Sequence, residues 1–218
     1  MRLNDADATP VRRMSGLRWL AIAAVLWAAF ELLRSGAADF LRLEPCAYLD
    51  SVQNAGKRPD PALLGRARER LELARSLDPG NPVVHEYLAL VDVHRARLVA
   101  GDAALRGGYL ESAETHYAAA LALRPNSAYL WAGVAAVRSA LLHDAGVQAS
   151  RGSAITAGEA RGYEAAASRA MILGPWEPGV LRTLALSASP HYAELSTNGR
   201  ALIDEAQRRL KRLDAQDL

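Results

Sequence analysis

Apolar positions along the chain fall into three patterns. Leu17 to Leu33, LRWLAIAAVLWAAFELL, is almost unbroken, with Arg18 and Glu31 as its only charges. As a helix this run is about 25 Å long at ~1.5 Å per residue, slightly short of a ~30 Å hydrocarbon core. The two charges lie near its ends and can snorkel towards headgroups, and Trp19 and Trp27 suit the interfaces. A transmembrane helix is therefore expected over residues 17–33. From about residue 60 the pattern changes to helical spacing, broken by proline and glycine. Residues 196–213 form a last amphipathic helix, with Ser196, Thr197 or Asn198 as its cap. Leu202, Ile203, Ala206, Leu210 and Leu213 line one side of it, and Arg200, Asp204, Glu205, Arg208, Arg209 and Arg212 occupy the rest.

The central region repeats itself. ARERLELARSLDPGNP (67–82), AETHYAAALALRPNSA (113–128) and YEAAASRAMILGPWEP (163–178) align on Pro79, Pro125 and Pro175. Five residues before each proline stands alanine: Ala74, Ala120 and Ala170. Two residues before stand Leu77, Leu123 and Leu173, eight before stand Leu71, Tyr117 and Ala167, and twelve before stand Ala67, Ala113 and Tyr163. After each proline the pattern is again shared, with His85, Trp131 and Leu181 at six residues on, Leu88, Val134 and Leu184 at nine, and Ala89, Ala135 and Ala185 at ten. Apolar residues at this spacing make one buried stripe per helix, small alanines allow a neighbouring helix close, and proline ends the helix and turns the chain.

This combination resembles the tetratricopeptide repeat. Trp131, Val134 and Ala135 match the first helix of that motif, and Ala113, Tyr117, Ala120 and Pro125 match the second. The resemblance covers roughly residues 60–190. It departs in period, since the prolines are 46 and 50 residues apart against a family repeat of about 34. The extra residues fall between the two helices of a unit. In the first unit they lengthen the helix that begins at Pro82 to about Ala100, with Gly101 and Gly107-Gly108 as punctuation; in the second, GVQASRGSAITAG (146–158) reads as a loop. The expected architecture is all-α: a transmembrane helix, then a degenerate tetratricopeptide-like array of helical hairpins with a C-terminal capping helix. The boundaries are a tail at 1–16, the membrane helix at 17–33, a juxtamembrane linker at 34–59, the repeats at 60–190, and the capping helix with its tail at 195–218.

Such arrays present a concave face lined by the first helix of each hairpin. The resemblance implies a partner-binding groove formed by Glu86, Leu90 and His94, then Tyr129, Ala132, Ala136 and Ser139, then Arg182. A surface of that composition suits an extended or helical peptide. Leu90 and Ala136 have an equally good alternative, packing against other helices.

Composition narrows the chemistry. Apolar residues are 50% of the 218 and aromatics only 6%, a bias towards packed helices over sheets. The formal charge is +2 with acids and bases interleaved, so no nucleic-acid partner is expected. Cys46 is the single cysteine, which excludes an intrachain disulfide; Glu44-Pro45-Cys46 lacks the small residues of a lipoprotein cleavage site, so the expected role is a half-buried packing residue. The five histidines, His85, His94, His116, His143 and His191, form no ligand-spaced cluster, and His85-Glu86 lacks the second histidine of a zinc-protease helix. No Walker loop or nucleophile elbow is present. Asp92, Asp102, Glu111, Glu114 and Glu159 read as solvated helix surfaces or ends. No catalytic residue, metal, cofactor or small-molecule substrate is expected.

Arg2, Arg12, Arg13 and Arg18 precede the apolar run, and Arg34 and Arg42 follow it. The positive-inside rule then places residues 1–16 in the cytoplasm and the rest outside, in the periplasm of a bacterium with two membranes. Ser35-Gly36-Ala37-Ala38 also offers small residues at a cleavage position, so a removed signal peptide stays open as the alternative. The anchor, the degenerate repeats and the run Ala170-Met171-Ile172-Leu173-Gly174-Pro175-Trp176-Glu177-Pro178 together resemble the VpsP-type proteins of bacterial exopolysaccharide biosynthesis. That resemblance implies a non-catalytic scaffold or adaptor for protein components of a polysaccharide synthesis or export apparatus. A periplasmic carbohydrate-binding or carbohydrate-modifying domain, and an assembly chaperone for another envelope complex, are the rival expectations.

Overall fold

One helix, α1 (Pro10–Ala55), carries the apolar run and then continues into the folded domain. The structure, a computed structural model, describes residues 10–56, 58–149 and 157–215. Within α1, residues 18–30 are all exposed, while Ala38, Pro45, Leu49 and Val52 are buried along one helical stripe. The segment expected as a juxtamembrane linker is thus helical from residue 34 to Ala55 and forms part of the core. Its end is marked by Gly56, whose φ of 60° places it in the left-handed region that closes many helices.

The following helices start at side-chain caps. Asp60 accepts from Ala62 N (2.7 Å) and Leu63 N (3.3 Å) to open α2 (Pro61–Leu77). Asn81 caps α3 (Pro82–Leu98) through Val83 N at 3.1 Å, and Asp102 caps α4 (Ala103–Leu123) through Leu105 N at 3.0 Å. Then come α5 (Ala128–Ala149), α6 (Ala157–Leu173) and α7 (Pro178–Ala188). A short 3-10 segment (Ser189–Glu194) leads to α8 (Thr197–Asp214), where Ser196 Oγ accepts from Gly199 N at 3.0 Å. Every regular element among the described residues is helical.

Two expected interruptions differ. Gly107 and Gly108 lie inside α4, because the cap at Asp102 and burial of Leu110, Ala113, Tyr117 and Ala120 outweigh the ~1 kcal/mol that each glycine subtracts from helix propensity. Of the loop expected at 146–158, residues 146–149 belong to α5 and 157–158 to α6, and residues 150–156 lie outside the described residues.

The helices pair in order: α1 with α2, α3 with α4, α5 with α6, and α7 with α8. Pairs join through α2 against α3, α4 against α5, and α5 against α7. One apolar cluster draws on α1, α2 and α3, around Leu49, Leu64, Leu71 and Leu88. A second spans α3 to α8, around Tyr117, Leu130, Tyr163, Leu181 and Ile203. Leu88 and Val91 of α3 face the first cluster and its Ala89 and Ala96 face the second.

The three proline turns are locked alike. The carbonyl of Pro79 accepts from His85 Nε2 at 3.2 Å, that of Pro125 from Trp131 Nε1 at 2.9 Å, and that of Pro175 from Arg209 Nη1 at 3.0 Å. A carbonyl can only accept, so His85 carries its proton on Nε2. Leu181 stands where His85 and Trp131 stand in the earlier turns and has no donor, so a guanidinium from α8 replaces it.

Candidate functional site

The expected groove residues divide into two sets. Glu86 is half-buried on α3, and its Oε2 accepts from Arg124 Nη2 at 3.0 Å. Burial raises the Glu86 pKa, and Arg124 opposes that rise. Tyr129 is exposed and donates to Glu177 Oε2 at 2.8 Å, a bond that raises its own pKa. Arg182 is exposed on α7. Leu90 is half-buried against the α1–α3 cluster, and Ala136 is half-buried on α5.

His94, Ala132 and Ser139 are buried and cannot line an open groove. The reason is packing. Helix α7 lies on α5, and Ser139 Oγ donates to the Ser187 carbonyl across that contact. Helix α3 is enclosed by α1, α2 and α4, which takes His94 out of solvent. Burial, with Arg97 adding to it, lowers the His94 pKa to about 4. Of the groove set, then, Tyr129 and Arg182 are exposed and Glu86, Leu90 and Ala136 are half-buried, with Glu86 and Tyr129 already engaged within the domain.

The carboxylates also depart from expectation. Asp92 is not solvated but fully buried, where α2, α3 and α4 meet. Its Oδ1 accepts from Arg68 of α2, and its Oδ2 accepts from Ser112 Oγ of α4 at 2.6 Å. His116 Nε2 is 4.0 Å from the same Oδ2. Burial lowers the His116 pKa, and Asp92 opposes this. Ser112 directs its proton to the carboxylate, so the cluster lacks the serine–imidazole bond that a nucleophile relay uses. It joins three helices and leaves Asp92 satisfied. Nothing in the apolar pattern marked it, because Arg68, Asp92 and Ser112 are far apart in sequence and each reads alone as a surface residue.

Asp102 and Glu111 are exposed, as expected. Glu114 is half-buried and accepts from Arg138 Nε at 2.7 Å, while the Glu159 side chain lies outside the described residues. Arg138 also donates to the Gly162 carbonyl at 2.8 Å, tying α4, α5 and α6 together. Cys46 is half-buried, and desolvation pushes its thiol up to about 11, which makes it a poor nucleophile at neutral pH. Among the described residues, no three His, Cys, Asp or Glu side chains are grouped so as to hold a metal ion. A cleft of about 390 Å³ between α1 and α2 is lined by Pro45, Tyr48, Leu63 and Ala67, with Arg70 drawn to Glu44 at its edge.

Two contacts involve α8 and its start. Trp176 is exposed, with the Arg209 guanidinium 5.0 Å from its ring centroid. Glu164 of α6 takes Ser196 N at 2.7 Å and Ser196 Oγ at 2.8 Å, fixing the start of α8. Compared with known proteins, the chain matches no family model and no curated protein. Residues 18–55 of α1 are long and apolar enough to cross a membrane, by length and composition.

Proposed function

We propose that the protein is a membrane-anchored, non-catalytic adaptor whose helical hairpins form a degenerate tetratricopeptide-like array that binds other proteins. The observation that carries the array is equivalence of burial. Ala74, Ala120 and Ala170, each five residues before its proline, are all fully buried, as are Leu88 and Leu184, with Val134 nearly so, nine residues after. The bonds from His85 and Trp131, each six residues on, to the carbonyls of Pro79 and Pro125 add to it in the first two turns. Helix α1 pairs with α2 as α3 does with α4, which supplies the first helix of the hairpin that Pro79 closes.

In this reading α1 crosses the inner membrane of a bacterium, with residues 1–16 in the cytoplasm and the domain in the periplasm. The exposed apolar run and the arginines before it support that orientation. The partners are protein components of an exopolysaccharide synthesis or export apparatus. That assignment rests on the resemblance to VpsP-type proteins in anchor, repeats and the Gly174-Pro175-Trp176-Glu177-Pro178 turn.

The test is affinity purification of the tagged full-length chain from its own solubilised membranes, followed by mass spectrometry. Co-elution of glycosyltransferases or polysaccharide-export proteins is the expected result. Recovery of an unrelated envelope complex would discard the polysaccharide assignment, and recovery of no partner would remove the adaptor role.

A further inference from the structure

We propose that the edge of the domain carrying the three proline turns rests on the headgroup layer of the bilayer that α1 crosses, with anionic phospholipid as its partner. The proposal depends on α1 spanning that bilayer, as argued above.

The first observation is the absence of a spacer. Glu31 and Arg34 pair at 2.6 Å just where the apolar run ends. Ala38, four residues further on, is already fully buried in the domain. Four helical residues rise only about 6 Å, and the helix is continuous across them. Some edge of the domain must therefore lie at headgroup level.

The contacts identify that edge. Tyr48 of α1 meets Asp60 at the start of α2, while the earlier residue Glu44 meets the later Arg70. Helix α2 therefore runs antiparallel to α1, and its end at Leu77, with the turn at Pro79, points back towards Arg34 and Ala38. Tyr87 of α3 donates to Asp50 at 2.7 Å, which sets α3 further along α1, so the later turns reach the headgroups with α1 tilted towards them. From there one contact leads to the next. Arg124 holds Glu86 and brings the Pro125 turn beside the start of α3. Tyr129 holds Glu177 and brings the Pro175 turn alongside. Arg209 holds the Pro175 carbonyl and brings the last turns of α8 to the same edge.

The chemistry of the edge suits lipid. Leu73, Leu123, Ile172 and Trp176 are exposed along it. Arg124 lies among them, and Lys211 and Arg212 are exposed at the end of α8. Apolar side chains with a tryptophan enter the interface, and arginine and lysine meet phosphates. Asp78, Glu177 and Asp214 share the edge, so its charge is mixed and the basic excess lies at the α8 end.

The experiment uses the full-length chain with Cys46→Ala, reconstituted in vesicles of phosphatidylcholine and phosphatidylglycerol in equal parts. Spin labels are placed one at a time at Leu123→Cys, Trp176→Cys and Lys211→Cys. Leu105→Cys, exposed at the opposite end of α4, serves as the water control, and Val25→Cys as the membrane control. Lipid carrying nickel on its headgroup should relax the three edge labels several-fold more than the Leu105 label. Adding Lys211→Glu with Arg212→Glu should reduce the effect at position 176 in these vesicles and leave it unchanged in pure phosphatidylcholine. Edge labels no more relaxed than Leu105, with Val25 still in hydrocarbon, would overturn the proposal and leave the span intact. A water-exposed Val25 label would overturn both. Edge labels that are immobilised but untouched by nickel would put protein there instead of lipid.

Discussion

At Gly133 of α5, a Cβ would sit 2.5 Å from the Tyr117 ring of α4, so glycine is what lets that ring lie under α5. At Gly108 of α4 a Cβ would meet nothing within 4 Å. The two glycines should respond to alanine with opposite signs. Gly133→Ala is expected to destabilise the domain by about 1–3 kcal/mol through overpacking. Gly108→Ala should stabilise it by about 0.5–1 kcal/mol through helix propensity. Denaturant unfolding of both variants decides this, and equal shifts would contradict the packing described. His94 sets a pH dependence at the same scale. Its pKa is lowered from 6.5 to about 4 in the fold, so the unfolded chain binds the proton more tightly. Its contribution is fully present above pH 6.5 and is lost as pH falls towards 4, by on the order of 3 kcal/mol for the whole shift. His116 and His191 are lowered as well and act in the same direction. The Tm should therefore fall on acidification through this window, and His94→Leu should flatten the slope. An unchanged slope would assign the acid sensitivity to other groups.

Among the elements, α1 is the one whose extent matters most. Its exposed apolar part and its core-packed part are a single helix, with Pro45 buried inside the second part at the loss of one backbone hydrogen bond. Without an interruption between residues 30 and 38, the orientation of the domain follows from the tilt of the helix. Amide hydrogen exchange of the reconstituted protein should show slow exchange through residues 34–37, continuous with the protected core at Leu49. Fast exchange confined to those four residues would reveal a hinge and free the domain from the membrane surface.

For the molecule as a whole, α3 is the coupling element. It contributes to both apolar clusters and carries Asp92, which α2 and α4 both hold. The clusters should therefore unfold together. Leu88→Ala in one and Leu130→Ala in the other, each expected to cost about 2–5 kcal/mol, should lower the same single transition. Two separated transitions would mean that α3 fails to couple them. The proposed functions also belong to this scale: an adaptor rigidly joined to its anchor presents its partner surface at a set height and angle above the membrane.

Most of the helices from residue 60 on, the cap of α8 and much of the core were legible in the sequence. Local spacing sets them, so Leu71, Tyr117 and Ala170 declare a buried stripe wherever the helix packs. The apolar run was equally plain, since its length and uniformity are local properties. What tertiary structure decided was which neighbours each helix acquired. The part of α1 beyond residue 34 looked like a linker because Asp39, Arg42 and Glu44 interrupt its apolar stripe, and only packing against α2 and α3 makes it core. Asp92 looked solvated because its partners lie at residues 68 and 112. His94, Ala132 and Ser139 looked available because spacing cannot tell which helix will cover a given face. Helical periodicity reports that a face is apolar or polar, but the burial of a polar one depends on side chains distant in the chain.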